Sequence, residues 1–119
     1  ECSRFFKIII MKYQYELRIY LVHLDSWQRL EEILGVSSPE EESIRWGYII
    51  ESEAPVDFIS YFISILDGKY EQLSEIGVSV ESISFWLIYE YEDACEIFFT
   101  PSQLELVGKS GITLCISCY

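Results

Sequence analysis

The stretch that decides the fold is the last third of the chain, made of ISFWLIYEYE (83–92), CEIFFT (95–100), PSQLELVG (101–108) and ITLCISCY (112–119). The first, second and fourth segments have the alternation and the aromatic or β-branched content of strands. The third is typical of a short helix. A turn at 91–94 predicts a hairpin between the first two strands, so the unit reads strand, turn, strand, helix, strand.

The helix in this unit has a strong start signal. Thr100 is a good N-cap, Pro101 suits the first helical position, and Gln103 stands three residues after the cap, as in a capping box. We predict that Gly108 ends this helix and that a strand from Ile112 to Tyr119 closes the chain.

Upstream, strict alternation from Tyr13 to Leu21 predicts a half-buried strand, with Glu16 and Arg18 on its polar face. A helix follows, in which Asp25 or Ser26 is the N-cap, Gln28 completes a capping box with Asp25, and Gly35 is the stop signal. Its buried stripe is Trp27, Leu30, Ile33 and Leu34.

The middle of the chain predicts a strand and a longer helix. IRWGYII (44–50) reads as a strand in which Gly47 marks a bulge or a close approach. Pro55 suits the first position of a helix that runs to about Glu75, kinked or split at Asp67-Gly68. The order β-α-β-α-β-β-α-β indicates an α+β domain with a mixed sheet of about five strands and helices on one face.

The charge of the chain is strongly asymmetric. The net charge is −12, and residues 1–30 carry +2, so that the remaining residues carry −14. Phosphate contacts need clustered Lys and Arg, which excludes nucleic acid as an expected partner. A basic protein surface is the expected complement, and the alternative is that the acids only keep an aromatic-rich chain soluble.

Length and composition predict one cytoplasmic domain. The chain has 119 residues and no apolar run long enough to span a membrane, and its four cysteines do not indicate a disulfide framework. The segment RFFKIII (4–10) is too short for a signal sequence, and it extends the first strand or pairs beside it. Because Met11 is the single methionine, we interpret residues 1–10 as an extension or an artefact and residues 11–119 as the domain.

Four patterns resemble catalytic or metal sites, and each fails on geometry. Cys115 and Cys118 lie three apart on a strand and point to opposite faces, so both thiols cannot bind one metal. The sequence Gly108-Lys109-Ser110 follows a helix rather than preceding one, unlike a phosphate-binding loop. A Cys–His site would need His23 beside a cysteine from an apolar strand. The carboxylate pairs Glu51/Glu53 and Glu90/Glu92 lie at solvated edges.

Three acidic clusters near aromatic residues form the candidate partner-binding surface, because such aromatics anchor interfaces. The alternative is that the aromatics belong to the core and the acids to a solvated rim. The candidate residues are Glu40, Glu41, Glu42, Trp46, Tyr48, Glu51, Glu53, Asp57, Tyr89, Glu90, Tyr91, Glu92 and Asp93.

The region from Tyr13 to Tyr119 resembles a family of uncharacterised bacterial domains, the domain of unknown function numbered four-two-seven-nine. The resemblance rests on short motifs: Leu34-Gly35-Val36, Arg45-Trp46, Phe98-Phe99-Thr100-Pro101, Leu104, Gly111-Ile112 and Ile116-Ser117-Cys118-Tyr119. The chain departs from it where the family has a Gly-Asp pair before the Trp and this chain has Glu40-Glu41-Glu42. The family has no agreed activity, so the resemblance implies a fold and a bacterial origin.

In size and charge the chain is also similar to immunity proteins of bacterial toxin systems, including contact-dependent inhibition. We therefore expect a non-enzymatic, protein-binding domain without a cofactor or metal, most concretely one that neutralises a basic toxin such as a nuclease. Two alternatives stay open. The chain could instead be a small-molecule-binding or catalytic α+β domain, or a structural homo-oligomer that pairs exposed strand edges.

Overall fold

The alternating stretch Tyr13–Tyr20 forms strand β1, which lies inside a four-stranded sheet. The computed structural model describes residues 13–90 and 97–118 of the chain. The other strands are β2 (Arg45–Ser52), β3 (Ile83–Tyr89) and β4 (Thr113–Cys118). The helices are α1 (Trp27–Leu34), α2 (Phe58–Leu66), α3 (Tyr70–Glu75) and α4 (Pro101–Ser110), and short 3-10 turns cover Leu24–Ser26 and Val80–Ser82.

The order of strands in the sheet is β2-β1-β3-β4. Strand β1 is antiparallel to both β2 and β3, whereas β4 runs parallel to β3 and is connected to it through α4. Parallel neighbours need such a crossover, while antiparallel ones do not. The predicted α+β class with a mixed sheet is confirmed.

The predicted fifth strand is not observed in the described residues. Residues 97–100 form no strand, and residues 91–96, which hold the predicted turn and the start of that strand, lie outside the described part. The physical reason is that β3 already has a neighbour on each side, β1 and β4. A hairpin strand after β3 would need one of these two occupied edges.

One face of the sheet builds the core. Tyr15, Leu17 and Ile19 of β1 are buried there, together with residues from the other strands and from the helices. The ring centroids of Phe62 in α2 and Phe85 in β3 lie 5.8 Å apart, so α2 packs directly on this face. The predicted stripe of α1 is confirmed, because its buried residues are Trp27, Leu30, Ile33 and Leu34.

The long predicted helix is two helices. It begins at Phe58 rather than at Pro55, because the N-cap is Asp57, whose side chain accepts the Ser60 N–H. The helix is interrupted at Asp67 and at Gly68, which has a φ of 75°. The separation of α2 from α3 therefore agrees with the alternative in which this dipeptide splits the helix.

The start of α4 follows the prediction and its end does not. Thr100 and Gln103 form the predicted capping box. The helix continues through Gly108 to Ser110, and the left-handed residue is Gly111, with a φ of 72°. The predicted box at Asp25 is absent, since the N-cap of α1 is Ser26 and makes no side-chain capping bond.

The polar face of β1 is buried, in contrast to the expected half-buried strand with a polar side. Glu16 is 4% exposed and Arg18 is 7% exposed. The Arg18 Nη2 donates to Glu16 Oε1 at 2.9 Å, and the guanidinium lies over the Trp86 ring at 3.9 Å from its centroid. The Glu16 carboxylate also lies against Gly47 of β2, where a Cβ would collide with it. Gly47 is thus a site of close approach, not a bulge, because it pairs in register with Arg18.

We predict that Gly47→Ala lowers the free energy of unfolding by about 1–3 kcal/mol, because the new Cβ collides with the Glu16 carboxylate and forces this buried, ion-paired side chain to shift. Gly108→Ala is the control, since it adds a Cβ in open space inside α4 and should stabilise by about 0.5–1 kcal/mol. Urea unfolding of both variants measures these changes. Equal stability of Gly47→Ala and the unchanged protein would contradict the close approach.

Candidate functional site

The sheet divides the predicted partner surface between two opposite ends. Tyr13, at the start of β1, pairs in register with Ser52 and Tyr89, at the ends of β2 and β3. At the other end, Tyr20 pairs with Arg45, the first residue of β2. Glu40–Glu42 precede Arg45 and belong to this second end. The two ends are separated by the length of β2, about 23 Å.

The remaining acidic residues of the predicted surface that the structure describes lie at the first end. Glu51 and Glu53 lie at the end of β2, Glu90 follows β3, and Asp57 caps the neighbouring helix α2; all four are exposed. We call this group, Glu51, Glu53, Asp57 and Glu90, the acidic end. The predicted residues Tyr91, Glu92 and Asp93 lie outside the described residues.

The Arg and Lys residues of the described segments lie elsewhere. Arg45 stands at the opposite end of β2. Lys69 follows α2, and Lys109 is in the last turn of α4. Both helices start at the acidic end and run about 13–15 Å away from it. Arg18 is paired with Glu16 within β1, and Arg29 lies 3.7 Å from Glu32 on α1.

Trp46 belongs to the core and is removed from the candidate surface. It is 0% exposed, so it presents no area to a partner. Its indole Nε1 donates to Glu31 Oε2 at 3.1 Å, and the Ser38 backbone N–H donates to the same oxygen at 2.8 Å. Nothing in the sequence pointed to Glu31, because no spacing rule connects this helical residue to a strand residue that follows it across a loop.

Tyr48 and Tyr89 are half-buried and engaged with other aromatic residues. The Tyr48 hydroxyl lies 3.0 Å from that of Tyr61, and this hydrogen bond, with burial as a second cause, raises the pKa of Tyr48. The ring of Tyr89 lies 4.8 Å from the ring of Tyr13. These two tyrosines therefore contribute packing as well as partial surface.

Asp57 has a structural role at the acidic end. Its Oδ1 accepts from the Ser60 N–H at 3.1 Å and from Gln103 Nε2 at 3.0 Å, and its Oδ2 accepts from Ser60 Oγ at 2.7 Å. Burial by itself would raise the pKa of Asp57, but the hydrogen bonds from Gln103 and Ser60 outweigh it and lower the pKa. Asp57 thus joins the N-termini of α2 and α4.

A cleft of about 120 Å³ opens at the acidic end. Tyr15, Phe58 and Leu87 contribute buried side chains to its lining. Burial raises the pKa of the Tyr15 phenol, and the hydrogen bond from the Val56 backbone N–H lowers it by less. The described residues that line the cleft are Tyr13, Tyr15, Pro55, Val56, Phe58, Leu87, Ile97, Phe98, Phe99 and Gln103.

The motifs that failed on geometry keep their predicted positions. Cys115 and Cys118 both lie on β4, half-buried and exposed respectively, and are free thiols. Gly108-Lys109-Ser110 is the last turn of α4, with β4 after it. His23 is exposed and lies beyond the end of β1. Strand β3 stands between β1 and β4, the strand that carries the two cysteines.

Residues 13–90 and 97–118 contain neither a metal-binding cluster nor a membrane-spanning helix. No group of three or more His, Cys, Asp or Glu is placed to hold a metal ion there. None of the helices in the same residues combines the length and the apolar character required to cross a bilayer.

Comparison of the chain with protein-family models, with curated proteins and with solved structures found no match. The resemblance to the uncharacterised bacterial family therefore stays a prediction that rests on the motifs quoted above.

We predict that Asp57→Ala lowers the free energy of unfolding by about 1 kcal/mol at pH 7, since α2 loses its cap. The lowered pKa means that this contribution is complete above the unfolded Asp pKa of about 3.9 and is lost as the pH falls through the folded-state value. Urea unfolding at pH 7 and at pH 3 measures the difference. Asp67→Ala, at the other end of α2, is the control, and an equal loss in both variants would contradict the capping role.

Proposed function

We propose that this chain is a non-enzymatic, protein-binding domain that docks its acidic end on a basic surface of another protein. The observation that carries the proposal is the register of the sheet, which brings Glu51 and Glu53 to the same end as Glu90. These carboxylates are exposed, and the described bases lie away from them. Glu51, Glu53 and Glu90 are the residues to which we assign partner contact.

The physical effect of such a surface is mainly on association. Clustered charges of one sign steer an oppositely charged partner and raise the association rate about 10- to 1,000-fold. Exposed charges are screened within a Debye length of about 8 Å at physiological salt. Binding through the acidic end therefore weakens as the salt concentration rises, and like charges oppose contact between two copies of the same end.

The most concrete form of the proposal is an immunity protein acting in the bacterial cytoplasm against a basic toxin domain. A nuclease binds phosphates through clustered Lys and Arg. Carboxylates placed in that cationic groove would occupy the position of the phosphates and occlude the active site. The net charge of −12 supports such a partner and disfavours nucleic acid as a direct ligand of this chain.

The alternative of a small-molecule or catalytic domain is supported less well. The cleft has a volume of about 120 Å³, whereas sites for small molecules measure roughly 300–1,000 Å³. Among residues 13–90 and 97–118, the lining contains no Glu and no His that could act as an acid or a base. These features favour protein binding as the proposed role.

We predict that reversing three charges in the combined variant Glu51→Lys, Glu53→Lys, Glu90→Lys lowers the association rate about 10- to 1,000-fold. The partner to test is the purified product of the adjacent gene, with rates measured by surface plasmon resonance and affinity by calorimetry. The control is the combined variant Glu40→Lys, Glu41→Lys, Glu42→Lys, which makes the same charge change at the opposite end.

Two results would contradict the proposal. One is the absence of binding between the unchanged protein and that partner. The other is an equal effect of both triple variants, since a response to net charge alone would not depend on which end of the sheet carries the change.

A further inference from the structure

The cleft at the acidic end has a preformed, apolar interior. Tyr15 and Leu87 are buried sheet residues, and the ring of Phe58 stacks on that of Tyr15 with centroids 4.7 Å apart. Phe99 lies edge-on to Phe58, at 6.3 Å between centroids. These side chains hold each other in place, so a ligand entering the cleft meets a surface that is already ordered.

The polar groups that border the cleft already have partners. The Tyr15 hydroxyl accepts the Val56 N–H at 3.1 Å. The side-chain oxygen of Gln103 accepts the Thr100 N–H at 2.8 Å, and its nitrogen donates to Asp57 at 3.0 Å. An occupant therefore gains little from polar atoms inside the cleft. The chemistry of the lining favours an apolar group.

The volume limits the size of that group. A cavity of roughly 150 Å³ lined by Leu, Ile and Phe takes up benzene. The cleft is smaller, at about 120 Å³, but open to solvent, so it suits a group no larger than one phenyl ring or a branched aliphatic side chain. This size matches one residue of a partner protein.

The rim determines what stands next to the inserted side chain. Phe98, which is 80% exposed, lines the cleft and extends its apolar surface outward. Asp57 is exposed beside the lining residue Gln103, to which it is bonded, and Glu53 comes two residues before the lining residue Pro55 and is also exposed. A buried anchor surrounded by complementary polar contacts is the usual arrangement of an interface hot spot, and an acidic rim selects Lys or Arg as neighbours of the anchor.

We infer that the cleft receives one apolar side chain, phenyl or branched aliphatic, from a partner segment that carries Lys or Arg beside it. This inference rests on the proposed function and adds the anchor that the acidic end recognises. Charge provides steering toward the acidic end, and the cleft provides the discrimination between one basic segment and another.

Two blocked pentapeptides test the inference on the full chain. One has a phenylalanine between two lysines on each side, and the other has a serine in its place, so their charges are equal. We expect the phenylalanine peptide to bind about 10- to 100-fold more tightly, the gain of burying one such side chain. Methyl NMR titration measures both affinities, with shifts expected at Val56, Leu87 and Ile97.

A blocked cleft should remove this preference while leaving the electrostatic attraction. Val56 lines the cleft and is 44% exposed, so Val56→Phe fills the opening without entering the core. We expect this variant to bind both peptides equally. The matched control is Val22→Phe, at a residue that is 61% exposed and follows the opposite end of β1; it should keep the preference.

Three results would overturn the inference. They are equal binding of both peptides to the unchanged protein, no shift of the cleft methyls with either peptide, and concentration-dependent shifts of those methyls without peptide. The last would place a second copy of the chain in the cleft. None of these results decides the proposed function, which the charge reversals and the protein partner test separately.

Discussion

The pairing of β1 with a strand on each side is the constraint on which the other features depend. Because side chains alternate along a strand, a slip of one residue against β2 or β3 would turn Tyr15 and Leu17 out of the core. The same register sets Tyr13 level with Ser52 and Tyr89. The acidic end and its cleft lie where the start of β1 and the ends of β2 and β3 meet the starts of α2 and α4.

The features that could be predicted from the sequence are those with a local cause. Alternation identified β1, spacing identified the buried stripe of α1, and Thr100 with Gln103 identified the start of α4. The predicted hairpin strand is not observed among the described residues, where the second neighbour of β3 is β4, which follows it across a helix. The burial of Trp46 and of the Glu16–Arg18 pair could not be predicted, since both depend on partners that no sequence spacing specifies.

The sequence indicated which acidic residues belong to the candidate surface, but their positions relative to one another follow only from the topology of the sheet. Three acidic clusters looked equivalent along the chain, yet the sheet sends Glu40–Glu42 to one end and the described remainder to the other. Asp57 is exposed, but its carboxylate already accepts hydrogen bonds from Ser60 and Gln103 and is therefore less available for contact with a partner. At this end an apolar cleft lies beside the exposed Asp57, and this combination is the basis of the interface that we propose.

The central position of β1 also bears on how the chain is made. One of its two neighbours in the sheet, β3, arrives late, since Ile19 pairs with Ile83 and Tyr13 with Tyr89. While the first half of the chain leaves the ribosome, one edge of β1 has no native strand to pair with, and unpaired edges template aggregation. Contacts between residues this distant in sequence also slow folding. Synthesis of β3 is thus the step after which β1 is paired on both sides, and the open edge then passes to β3 until β4 is made.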